Sequence, residues 1–172
     1  MKAIGKGSLS SILAVGLHVT RIIMWIAFGG VTLALIILPF VPSLVRIFTG
    51  HDGVNIDADI DADVSDFLDV ALAFATIAVM LFVVNRLLEI LKTLRFGSPF
   101  VKENADRFRG VGYALLIGEG AKFAFGFLSM IYDANIDINS SFITWLAIIA
   151  VFVLAEVFRE GARMKEEQDL TV

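Results

Sequence analysis

Four runs of about twenty apolar residues, separated by stretches that hold nearly all of the charge, constrain this chain more than any other feature of its sequence. A run of that length carries a helix across about 30 Å of hydrocarbon, where only a helix or a closed barrel can satisfy its own backbone. The first run, Ile22 to Phe40, is closed by Pro39 and Pro42. Ahead of it, Leu9 to Leu17 is either its extension or a short interfacial helix. The second covers Val70 to Leu91 and is apolar until Asn85 and Arg86; the third is Val111 to Ile131; the fourth starts near Ser141 and is uncharged up to Glu156. A hydrophobic share of 58%, 15 Phe and a mean hydropathy of +0.83 lie outside the range of soluble globular proteins. The sequence therefore predicts an all-α membrane protein, a four-transmembrane-helix bundle with spans at 19–41, 70–91, 111–131 and 141–158.

A basic start with Lys2 and Lys6 before an apolar run is also the mark of a secretory signal. The uncharged run from Ile22 to Val45 is too long for a signal's core, and no small-x-small cleavage site follows it. The net charge of −4 hides a segregation along the chain. Basic residues gather at the N-terminus, in the 92–110 loop and in the 159–172 tail, whereas loops 42–69 and 132–140 set Arg46 alone against nine Asp. The positive-inside rule then places both termini and the 92–110 loop in the cytoplasm, with an acidic outer face. Within that cytoplasmic loop, Ser98 and Pro99 offer an N-cap and a first-turn proline, so a helix is expected to start there.

The composition also excludes. With no Cys and only His18 and His51, neither a disulfide framework nor a thiolate or His-based metal site can be built. No paired-carboxylate, Ser/His/Asp or phosphate-loop constellation is present, so neither enzyme activity nor a cofactor is expected.

Glu119 and Lys122 put a carboxylate and an ammonium into the third span, where an isolated charge costs roughly 3 kcal/mol. At i and i+3 they share a helix face and neutralise each other, and Gly118, Gly120, Ala121 and Ala124 let another helix come close. The pair is read as a buried structural knot, with a proton or ion relay as the competing reading. Counted from the outer ends, Arg86 and Glu156 both lie about 22–24 Å deep, which predicts a salt bridge between the second and fourth spans at the inner boundary.

The outer stretch Asn55 to Val64 alternates apolar residues with Asp57, Asp59, Asp61 and Asp63, and the short loop repeats the pattern around Asp137. Period two is the pattern of a strand with one dry face, so these segments are expected to pair as a small β cap. A calcium site is the sharper reading, but the EF-hand pattern fails, with Ala62 where Gly is needed and Leu68 where Glu is needed. The acids are taken as a cap that concentrates cations, and no metal is assigned.

Two stretches carry a resemblance. Gly97-Ser98-Pro99-Phe100, followed by Glu103-Asn104-Ala105 and Arg107-Phe108-Arg109, resembles the helix-hairpin motif of a bacterial four-helix membrane family known as domain-of-unknown-function family 2975. The tail from Glu156-Val157-Phe158-Arg159 to Asp169-Leu170-Thr171-Val172 resembles the ending of the same family. The resemblance implies a multi-pass protein of the bacterial inner membrane and, by gene neighbourhood, a small soluble helix-turn-helix regulator as partner.

The 92–110 loop itself reads as a topology determinant at the inner leaflet, with its bases interrupted by acids and no DNA-binding pattern, so direct nucleic-acid binding is not expected. Two functions stay open. In one, a regulatory or signalling component docks a soluble partner through Pro99, Phe100, Glu103, Asn104 and Arg107 and through a tail whose Leu170 and Val172 a partner can hold. In the other, several copies of the chain form a cation or proton channel with an acidic vestibule; four helices with one self-compensated pair hardly enclose a pore, so this reading requires a homo-oligomer.

Overall fold

The computed structural model describes residues 9–43, 63–96, 99–134, 136 and 138–170. Four long helices account for most of them: α1 (Leu9–Ile37), α2 (Val64–Phe96), α3 (Lys102–Ile131) and α4 (Phe142–Asp169). Each contains a stretch long and apolar enough to cross a membrane. Leu9 to Leu17 is an extension of the first apolar run, not a separate interfacial helix, because nothing between Leu9 and Ile37 breaks the backbone ladder. Pro39 then tightens the chain into a 3-10 turn, Leu38–Phe40.

Packing runs between chain neighbours, α1 on α2, α2 on α3 and α3 on α4, and no comparable contact joins α1 to α4. The helices alternate in direction, so one end of the molecule carries the start of α1, the turn at 99–101 and the end of α4, and the other carries the start of α2 and the descending chain at 138–141. We call these the basic end and the acidic end. Phe28 of α1 stacks on Phe74 of α2 with ring centroids 4.8 Å apart. On the other flank of α3, Phe123, Tyr113 and Phe108 meet Trp145, Phe152 and Phe158 of α4 in turn. Gly112 makes that flank close: a Cβ there would stand 2.9 Å from the Phe152 ring. Large apolar residues such as Ile22, Ile26, Ile117, Phe127, Ile143 and Ile149 remain exposed around the layer, as a bilayer solvent requires.

The aromatic register shows that α4 begins below the top of α3. With Trp145 opposite Phe123, Phe142 comes level with Gly126, and the last turn and a half of α3 overhangs by about 8 Å. A Schellman-type turn sends the chain back down this overhang: Asp133 takes φ 52°, and the Ala134 amide donates to the Ser129 carbonyl at 2.8 Å. Ile138 then lies on Gly126, where a Cβ would collide with its terminal methyl.

Three expectations need correction or relocation. Among the described residues there is no strand. Most of the acidic alternation, including Asp57, Asp59 and Asp61, lies outside the described residues, as does Asp137. Asp63 is described, and it starts a helix: its carboxylate accepts from the Val64 amide at 2.6 Å, and its own amide donates to the Asp66 carboxylate at 3.3 Å. Acids in this position favour the positive end of the helix dipole. Helix α3 starts at Lys102 and not at Ser98 and Pro99, with Val101 as an N-cap that lends no side chain. Pro99 stays outside the helix, and its carbonyl accepts from the Asn104 side chain.

The third correction concerns Arg86 and Glu156, which do not meet. Arg86 pairs with Glu89 at 2.9 Å, and Glu156 pairs with Arg159. Their levels agree: Glu89 reaches Arg107 and Phe82 touches Gly110 from one side of α3, while Phe152 touches Gly112 from the other. Helix α3 stands between them, so each charge takes the partner one turn away on its own helix.

Candidate functional site

Among the described residues two polar networks interrupt the apolar interior, and both are built on α3. The first centres on Glu119, which is 3% exposed. Its carboxylate accepts from Lys122 Nζ at 2.6 Å and from the Ser140 hydroxyl at 2.8 Å. Lys122 Nζ also donates to the Asn139 carbonyl at 3.3 Å. The returning loop thus delivers its own polar groups to the pair, because α4 starts at that depth. The Trp145 indole donates to Ser140 at 3.3 Å, and the Ser141 hydroxyl caps α4 by accepting from the Ile143 amide. Beside the pair lies a cavity of about 120 Å³ whose wall includes Thr76, Val79, Met80, Leu115 and Thr144, with no ionisable group beyond Glu119 and Lys122 themselves. A carboxylate with two donors and a counter-charge is a satisfied unit in a low-dielectric setting.

The second network closes the basic end. Asn104 is completely buried, and each polar atom of its amide has a partner. Its Nδ2 donates to the Pro99 carbonyl at 3.0 Å; its Oδ1 accepts from Thr93 at 2.8 Å and from Arg107 Nη1 at 2.8 Å. Arg107 continues through Nε to Glu89 at 3.2 Å, and Arg86, held over the Phe82 ring, donates to the same Glu89 oxygen. One amide therefore ties α2, the turn at Pro99 and α3 together. Phe100 completes the clasp on α4, 5.6 Å from the Phe158 ring and against Gly161, where a Cβ would press into it.

The residues singled out in the sequence divide accordingly. Pro99, Phe100, Asn104 and Arg107 come together as the clasp, while Glu103 is exposed beside them. Leu170 ends α4 at 81% exposure, and Val172 lies outside the described residues. Thr93, Glu89 and Ser140 complete the networks without having been placed there from the sequence. Ser140 carried one readable signal, a hydroxyl just before a helix cap, but its reach to Glu119 depends on how far the loop descends.

Helices of this length and hydropathy, with the Glu119 and Lys122 charges of α3 paired to each other, define a multi-pass membrane protein. Residues 53–172 match the family described as Protein of unknown function (DUF2975), and the chain belongs to that family. The match takes in α2, α3 and α4 with both polar networks, and it begins after α1. No curated protein and no solved structure matches the chain.

Proposed function

We propose that this is a non-enzymatic regulatory or signalling component of a bacterial inner membrane that docks a soluble partner at its basic end. In this reading both termini face the cytoplasm, the side that the distribution of basic residues favours. The observation that carries it is the end of α4. Past the clasp at Gly161 the helix continues to Asp169, and its side chains from Arg163 onward are exposed. Arg163 bridges Glu160 and Glu167 along its surface. A helix that leaves the packed layer and stays polar presents its side chains to solvent, where a soluble partner can reach them.

The clasp supports the same reading indirectly. Asn104 and Arg107 are consumed by structure, so docking falls to the exposed groups around them, Lys102, Glu103 and Asp106, and to the projecting helix. The family resemblance suggests a small soluble helix-turn-helix regulator as the partner. The uncovered apolar faces suit self-association in the bilayer, which the channel alternative would need, yet the compensated Glu119 and Lys122 pair favours docking.

Removing residues 163–172 leaves the clasp at Gly161 in place. Co-purification of a soluble partner with the full chain, lost on this truncation, is the expected result. Co-purification that survives the truncation counts against the projecting helix as the docking element.

A further inference from the structure

The basic end holds a third polar feature that neither network uses up. Between α1 and α2 lies an open cavity of about 550 Å³, lined by His18 and Arg21 from α1 and by Asn85, Leu88, Glu89 and Lys92 from α2. Its charge balance is positive. Glu89 already accepts from Arg86 and Arg107, so its carboxylate is offset within the clasp. Arg21 and Lys92 are exposed, and among the described residues neither has a hydrogen-bond or ion-pair partner. His18 donates from Nδ1 to the Ala14 carbonyl at 2.7 Å, which fixes its ring on the cavity wall.

The depth of the site matters as much as its charge. Arg21 is flanked by exposed Val19, Ile22, Ile23 and Ile26 within an apolar face that starts at Ile12, so its guanidinium lies against the hydrocarbon and not beyond it. A cation flanked by apolar surface is costly unless it snorkels to an anion, and an anion that meets it in this cavity recovers that cost. A guanidinium fork and an ammonium reaching into one cavity suit phosphate oxygens, and basic pockets between helices at the membrane boundary take lipid headgroups. We infer that this cavity binds a phosphate group, either the headgroup of an anionic phospholipid whose chains lie along the exposed face of α1 or free phosphate. Arg21 and Lys92 are its cationic ligands. The inference is independent of partner docking, since it uses neither the projecting part of α4 nor the clasp's outer residues.

The test uses the full chain purified in detergent. Its thermal unfolding midpoint is followed with added phosphatidylglycerol, phosphatidylcholine or inorganic phosphate. Phosphatidylglycerol is expected to raise the midpoint and phosphatidylcholine to leave it unchanged. Arg21→Gln combined with Lys92→Gln should weaken the apparent affinity about tenfold or more, the loss of charge-assisted contacts, while Arg21→Lys with Lys92→Arg retains most of it. A shift produced equally by inorganic phosphate assigns the site to the free anion; a shift confined to phosphatidylglycerol assigns it to lipid. Should the double Gln variant lose its helical circular dichroism, Lys92→Gln alone, at an exposed position, is compared by counting retained phosphatidylglycerol in native mass spectra. A wild-type midpoint indifferent to both anions, or binding undiminished in whichever Gln variant folds, overturns the inference.

Discussion

The two polar networks of α3 use similar chemistry and reach it from opposite directions. Glu119 and Lys122 begin as neighbours on one helix turn and then collect Ser140 and Asn139 from the loop that follows. Asn104 begins with no polar neighbour that could satisfy it alone and draws Thr93, Pro99 and Arg107 from three places. The first is a local pair that acquires a tertiary role, holding the loop down beside α3. The second is tertiary from the start and exists only when α2 and α3 are docked. In a membrane, where the hydrophobic effect does not drive helices together, such networks act with close packing to select the arrangement.

Breaking the local pair should have the largest effect. Glu119→Ala leaves the Lys122 ammonium partly buried without its counter-charge and is expected to cost about 3 kcal/mol, read as a lower unfolding midpoint in mixed detergent and dodecyl sulfate micelles. Replacing both residues by Leu removes the stranded charge as well, and the double variant should be more stable than Glu119→Ala; equal loss in both would mean that the pair is not self-contained. Asn104→Ala comes next, at about 2 kcal/mol, because Thr93 and Arg107 each lose a partner in a buried site but keep Ile90 and Glu89. The same unfolding assay checks it, and the loss should shrink when Thr93→Val is added.

Smaller effects separate packing from polarity. Gly112→Ala puts a methyl against the Phe152 ring and should cost about 1–2 kcal/mol, largely recovered by Phe152→Leu. On the projecting part of α4, Arg163→Ala breaks two exposed pairs and is expected to change stability by less than about 0.5 kcal/mol. A large loss there would mean that the helix end is part of the packed layer, against its exposure.

The comparison also explains what could be read from the sequence. Helices follow from runs of apolar residues, which are local, and the i, i+3 spacing of Glu119 and Lys122 is a local relation too. Arg86 and Glu156 fail for a reason that depth counting cannot reveal. They stand at similar levels, but lateral order decides contact, and α3 separates them. The motif around Asn104 could be seen as a pattern of residue types, yet its role as an inward-facing clasp depends on Thr93 and Glu89, which belong to another helix. A proline after a serine reads as a first-turn residue, yet α3 starts at Lys102 and the Pro99 carbonyl accepts from Asn104 instead. Arg21 is a single cation in its stretch of sequence, and only the packing of α1 on α2 brings it to the same cavity as Lys92.

If Glu119 and Lys122 lock a loop to a helix and conduct nothing, then liposomes carrying the reconstituted full chain should pass protons and potassium no faster than protein-free liposomes, with Glu119→Gln making no difference. Proton or cation flux through the wild-type protein that Glu119→Gln abolishes would contradict that account.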